Sequence, residues 1–250
     1  MTGGGGNCTL RRVVGPNPRC ALSRASGCWF RRGRNDVASR FSGPVPLRAP
    51  DVTSEFLVVI AYHLVWVAYG WWLPNDPRGS MSTSIRCDVL KELGELHHGR
   101  KRVQPASNDI RVFYDEAKEL LKYPLLTCVP EEVGAIAEAF ATVMARERYT
   151  CYACAILPDH VHVVIRKHRD LAEQMIRKLQ WESAEHVRRL GLRDDDHPVW
   201  GGPGWKVFLD SPHDIRRTIP YVENNPIKMR LPRQTFPFVV PYDDWPLHRR

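Results

Sequence analysis

Residues 157–165 read Leu-Pro-Asp-His-Val-His-Val-Val-Ile. The Val-rich run from His160 onward has the composition of a β-strand. On a strand, positions two apart share a face, so His160 and His162 project to one side and Val161 and Val163 to the other. Two imidazoles on one face can chelate a divalent metal. Such a pair also occurs as ordinary strand structure or surface. A second group follows about 60 residues on, in Tyr221-Val222-Glu223-Asn224-Asn225-Pro226. Tyr221 and Asn225 are four apart, which places them on one helix face. A metal held by imidazoles and an amide oxygen, next to a phenol, could perform phosphoryl transfer. The metal would polarise the phosphate and the phenolate would attack in line. Taken alone, Tyr221 equally fits a ring packed at a helix end, with Asn225-Pro226 as the stop signal.

The elements that must position these groups can be read from periodicity and punctuation. Phe56–Tyr69 is rich in Val and aromatics and predicts a strand. Pro74-Asn75-Asp76-Pro77-Arg78-Gly79 is a dense turn signal. Helical stretches are expected around Asp88–His97 and Asp109–Leu121. Pro130-Glu131-Glu132 opens a helix, with proline and acids where a helix N-terminus favours them. Tyr149–Leu157 and His160–Arg166 read as two strands joined at Pro158-Asp159. Asp170–Leu190 is an amphipathic helix, Trp205–Leu209 a short strand, and Ser211-Pro212 caps a helix running to about Asn225. The order β-α-β-β-α-β-α predicts an α+β protein with a ferredoxin-like or RRM-like antiparallel sheet and helices packed on one face. Pro220 falls inside the last helix and is expected to remove a backbone bond, which could kink it and re-aim Tyr221.

The formal charge of +8 is carried by the first 50 residues, which hold nine Arg, no Lys and one acid. Residues 51–250 balance 27 bases against 27 acids, so the high isoelectric point says nothing by itself about the folded part. Residues 1–50 are rich in Gly, Pro and Arg without periodicity, and read as a basic disordered tail or a stretch upstream of the true start. A basic arm adding non-specific DNA affinity is the sharper reading of the same residues. Residues 51–250 form the expected folded domain. Seven Cys without a secretory signal read as reduced thiols in a cytoplasm. Cys151 and Cys154 lie in a strand-like run, where positions three apart should face opposite sides, and read as buried packing rather than a metal pair. Phe56–Leu73 is uncharged for 18 residues, yet its His, Tyr and Gly content fits a central strand better than a membrane span.

Together, the motifs of residues 157–165 and 221–228 resemble those of IS200-type single-tyrosine transposases, which are HUH enzymes. They are most similar to the REP-associated tyrosine transposases, whose tyrosine helix commonly reads Y-x-x-x-N-P. Tyr62-His63-Leu64-Val65-Trp66 and the turn through Gly79 also look like that family's first strand and following turn. The resemblance covers about residues 55–245. It implies a protein acting on single-stranded DNA, often a hairpin or palindromic repeat. It implies that His160 and His162 bind the metal, that Asn225 can complete its shell, and that Tyr221 is the nucleophile forming a 5′-phosphotyrosine link. Mg²⁺ or Mn²⁺ suits a mixed imidazole, amide and phosphate shell. The expected location is cytoplasmic and nucleoid-associated, and the oligomeric state stays open between monomer and homodimer.

Charge within residues 51–250 is uneven. Residues 51–159 carry 11 bases and 15 acids, whereas residues 160–233 carry 14 bases and 10 acids. Arg166, Lys167, Arg177, Lys178, Arg216, Arg217 and Lys228 are the expected DNA-binding side chains, as a phosphate-tracking groove needs local positive bias. A solvated helix face would give the same counts. Trp200, Trp205 and Phe208 could stack on unpaired bases, but core packing is the first reading of all three. The alternative to an active transposase is a catalytically silent, domesticated DNA-binding protein on the same fold.

Overall fold

The computed structural model describes residues 58–99 and 101–246. The expected tail of residues 1–50 lies outside the described residues. Strand β1 spans Ala61–Ala68, β2 Cys151–Ile156, β3 His160–Arg166 and β4 Trp200–Leu209. They form one four-stranded sheet in the order β2-β3-β1-β4, with every neighbouring pair antiparallel. Helices are α1 (Ser107–Leu120), α2 (Pro130–Glu147), α3 (Ala172–Arg189), α4 (Pro212–Glu223) and the single turn α5 (Asn225–Lys228). The α+β architecture and the ferredoxin-like element order are both present. Among the described residues, no helix is long and apolar enough to cross a membrane.

The two central strands have one continuous apolar face and one mixed face that carries His63, His160 and His162. Leu64, Trp66, Val161, Val163 and Ile165 pack beneath α2 and α3, against Phe140, Val143, Met175 and Leu179. Helices were expected on one face only, but the apolar stripe of α4 also needs a sheet to bury it, so both faces carry helices. The opposite face is the one α4 reaches, where Ala61, Ala153, Ala155, Val164 and Leu209 pack against Ile215 and Val222. The tyrosine helix therefore lies across the sheet from α2 and α3. Its own apolar stripe, with Ile215, Val222 and the half-buried Ile219, requires a sheet face to bury it.

Several sequence expectations change in detail. The stretch expected as a helix around Asp88–His97 is only a 3₁₀ turn over Asp88–Leu93. Strand β4 begins five residues earlier than its apolar pattern suggested, because Gly201-Gly202-Pro203-Gly204 continues the strand through a bulge instead of ending it. Cys151 and Cys154 do not face opposite sides. A register shift between Cys151 and Ala153 resets the alternation, so Cys151 pairs with Ile165 and Cys154 with Val163, on one face. Both thiols are buried and free, as expected for packing, and burial pushes the Cys151 thiol up to about 12. The outer edge of β2 is covered by the C-terminal segment. Gln234 donates to the Ile156 carbonyl and accepts from its N–H, and the Val240 N–H donates to the Cys151 carbonyl.

The turn after β1 is held by a buried ionic cluster. Asp76 is fully buried and accepts from the Arg78 guanidinium and from the Tyr114 hydroxyl of α1, the latter at 2.5 Å. The same Tyr114 oxygen accepts from the Trp72 N–H at 2.8 Å and from Arg78 at 2.8 Å. Burial holds the Tyr114 phenol well above its ordinary range, so it stays a donor. Asp76→Ala would leave the largely buried Arg78 charge without its carboxylate. The expected cost is about 3–5 kcal/mol of unfolding free energy, read by urea denaturation of the full chain. A loss below about 1 kcal/mol would show that this cluster does not hold the turn.

Candidate active site

Strand β3 presents His160 and His162 on the α4 face, as the alternation requires, with Val164 next on that face. Their ring centroids are 4.9 Å apart. Helix α4 brings Tyr221 over the same face, its ring centroid 5.9 Å from that of His162. Residues 61 positions apart in the chain thus share one site. Ser211 starts α4 by accepting from the Asp214 N–H at 3.2 Å, with Pro212 as the first helical residue. The helix carries through Pro220, whose ring is on the exposed side, and its next residue delivers the phenol to the histidines. Pro220 therefore does not end the helix before Tyr221.

A third imidazole completes the cluster, one that the sequence reading did not assign to the site. His63 of β1 is buried, stacks on His162 with centroids 5.1 Å apart, and lies 6.0 Å from the Tyr221 ring. His63 Nε2 and His162 Nδ1 share a hydrogen bond of 2.9 Å. The available signal was weak: His63 alternates with Tyr62, Leu64 and Trp66, and so falls on the opposite face from those core residues. Which face of β3 it would meet was decided only by pairing.

Both candidate metal-binding imidazoles have Nδ1 engaged. His160 Nδ1 lies 2.6 Å from Asp159 Oδ1 and His162 Nδ1 bonds His63. A neighbouring acceptor at Nδ1 is the arrangement that orients a metal-binding imidazole. Burial pulls His162 well below the ordinary histidine value, with His160, His63 and Lys228 adding to the effect. Burial likewise lowers His63 to about 4. Both shifts favour the neutral imidazole, the form that ligates. Burial alone would raise the Asp159 carboxyl, but its hydrogen bond to His160 and the charges of His160 and Arg78 hold it below the usual range. Asn225 is buried at the start of α5, and its side-chain Nδ2 has no hydrogen-bond partner. Among the described residues, no group of three or more His, Cys, Asp or Glu side chains could hold a metal. Two imidazoles alone are an incomplete set, so a metal bound here would need further ligands, such as an amide or substrate oxygen. The set does not fit a closed structural centre.

His63→Ala would leave His162 Nδ1 without its buried partner. The expected result is about a 10- to 100-fold loss of Mn²⁺ affinity, measured by titration calorimetry, with partial recovery in His63→Gln. Unchanged Mn²⁺ affinity in His63→Ala would remove His63 from the site.

The expected DNA-binding residues are dispersed. Lys228 is at the site, its Nζ 4.5 Å above the Tyr221 ring. Arg166 lies at the far end of β3, 3.4 Å from Asp243 and over the Trp245 ring. Arg216 pairs with Asp244 and Arg217 with Asp214 on the outer side of α4. Lys167 is exposed just beyond β3. Arg177 and Lys178 sit on α3, across the sheet from the histidines, and Lys178 is clamped by Glu147 and Asp170 at 2.7 Å each. The three aromatics also separate. Trp200 packs against Trp66 and donates to Gln180, whereas Trp205 and Phe208 are exposed.

No family model matches the sequence, and no curated protein matches it. Among solved structures, the chain is similar to a REP-associated tyrosine transposase bound to a REP hairpin, at 12% identity over 68% of each chain, with a TM-score of 0.37. It is also similar to a proposed transposase from Deinococcus radiodurans, at 13% identity over 75% of this chain and 97% of that one, with a TM-score of 0.34.

Proposed function

We propose that this chain is a transposase that cuts and rejoins single-stranded DNA by tyrosine transesterification, with a hairpin or palindromic repeat as substrate. The observation that carries this reading is the convergence of His160, His162 and Tyr221 on one sheet face, with ring centroids 4.9 Å and 5.9 Å apart along the series. A divalent cation, Mg²⁺ or Mn²⁺, held by His160, His162 and Asn225 would polarise the phosphate and stabilise charge developing on its oxygens.

The chain's own groups supply the rest. Tyr221 is the nucleophile, and its phenolic oxygen forms a bond to phosphorus while the bond from phosphorus to the 3′ oxygen breaks. The proton lost from the phenol ends on the released 3′ hydroxyl. The products are a 5′-phosphotyrosine link and a free 3′ end, and attack by that or another 3′ hydroxyl reverses the step. The phosphodiester energy stays in the covalent link, so no nucleotide cofactor is needed. Lys228, over the Tyr221 ring, is positioned to attract the phosphate and to favour the phenolate. The His63 and Asp159 contacts hold the two imidazoles in place before substrate arrives.

The test is a denaturing gel of the protein with labelled hairpin oligonucleotides from the regions flanking its own gene, with Mg²⁺, with Mn²⁺ and with EDTA. A metal-dependent band that survives denaturation is the expected result. Specific binding with no covalent band under any condition would refute catalysis and support a silent DNA-binding protein on this fold.

A further inference from the structure

Strand β1 lies between β3 and β4, and its Val65 pairs with His162 on one side and with Trp205 on the other. Directly paired residues in antiparallel strands share a face. Trp205 therefore projects from the same face as His162, two strand spacings away, or about 10 Å. Helix α4 packs chiefly over β2 and β3 and meets β4 less, at its Leu209 end. Trp205 is 37% exposed, beside the half-buried Val65 and Val67 of the same face. Phe208, the other exposed aromatic of β4, meets Tyr62 and so belongs to the opposite face.

The backbone is built to put Trp205 there. The register slips between Val65 and Val67, where Gly201 faces Val67 and Trp205 faces Val65, so Gly202-Pro203-Gly204 forms a bulge. Gly204 has φ +78°, and a Cβ on it would come 2.9 Å from the Val65 carbonyl oxygen, so this position requires glycine. Bulges beside active sites commonly re-aim a side chain. This one delivers an indole to an open stretch of sheet next to the His–Tyr cluster.

We propose that Trp205 is a stacking platform for an unpaired nucleobase of the single strand whose phosphate lies at His160, His162 and Tyr221. The proposal rests on the single-strand reading above and adds a base-binding subsite to it. An exposed aromatic on an antiparallel sheet face is a recurrent way of holding an unpaired base, and such stacking tolerates any base because each presents a π-face. Stacking would anchor the strand near the reacting phosphate without specifying its sequence.

The test measures equilibrium binding of the full chain, in EDTA, to two fluorescent 20-nucleotide single strands. One is oligo(dT) and the other a wholly abasic strand of equal phosphate count. The wild-type protein should prefer oligo(dT). Trp205→Leu, which keeps apolar bulk but removes the ring, should bind oligo(dT) about tenfold more weakly and the abasic strand unchanged. Trp205→Phe should restore most of the difference. Equal wild-type binding of both strands would overturn the stacking site while leaving the phosphate-based reading intact. Equal loss on both strands in Trp205→Leu would show a structural role and also overturn it. Failure of the wild-type chain to bind either strand would instead refute the single-strand reading on which the proposal rests.

Discussion

Tyr221→Phe is expected to abolish the covalent DNA adduct completely while changing hairpin affinity less than about threefold. The phenolic oxygen is the only atom removed, and under the proposed chemistry it forms the bond to phosphorus. Phenylalanine retains the ring that meets His63, His162 and the Lys228 ammonium. The packing of α4 should survive, because Ile215 and Val222 supply its buried contacts. The measurement pairs a denaturing gel with equilibrium binding of the same labelled hairpin. Strand cleavage persisting in Tyr221→Phe would assign the nucleophile to another group or to water, and the single-tyrosine mechanism would fall.

His160→Ala is expected to lower the single-turnover cleavage rate by about 10³-fold, since loss of the cation's charge stabilisation is worth several kcal/mol. EDTA treatment of the wild-type protein should reproduce that loss, and added Mn²⁺ should restore the wild type but not the variant. His160 is the better first target, being half-buried at the start of β3, whereas His162 is fully enclosed and bonded to His63. For His162, the variant His162→Gln retains a polar group toward His63 and limits the damage of an empty buried site. Thermal unfolding of each variant separates a lost ligand from a lost fold. Normal metal-dependent cleavage by a folded His160→Ala would eliminate the two-imidazole site.

Strand alternation alone places His160 and His162 on a common face, and the His160–Arg166 strand has the bounds its composition indicates. The helical spacing, the capping serine and Pro226 likewise place Tyr221 in the last turn of a helix. These features are local in origin, arising from backbone periodicity, end-capping and turn chemistry, which neighbouring residues determine.

Long-range pairing decided the remainder. His63 joins the site because β1 is inserted beside β3 with Val65 opposite His162, a register no local pattern encodes. Cys151 and Cys154 share a face because a bulge cancels the alternation that each short window predicts. The charge of residues 160–233 was visible, yet its partners were not. Arg166 and Arg216 meet Asp243 and Asp244 from the C-terminal segment, and Lys178 meets Glu147 from α2. Trp200 and Trp205 look alike in sequence, but bonds to the Gln180 carbonyl and Ser183 hydroxyl hold the first against the core, and a bulge sends the second to the open face. Sequence by itself determined which groups could do chemistry and which local element carries each. Tertiary structure alone decided which of them meet, because strand register, bulge position and the face chosen by α4 follow from how distant apolar surfaces are buried together.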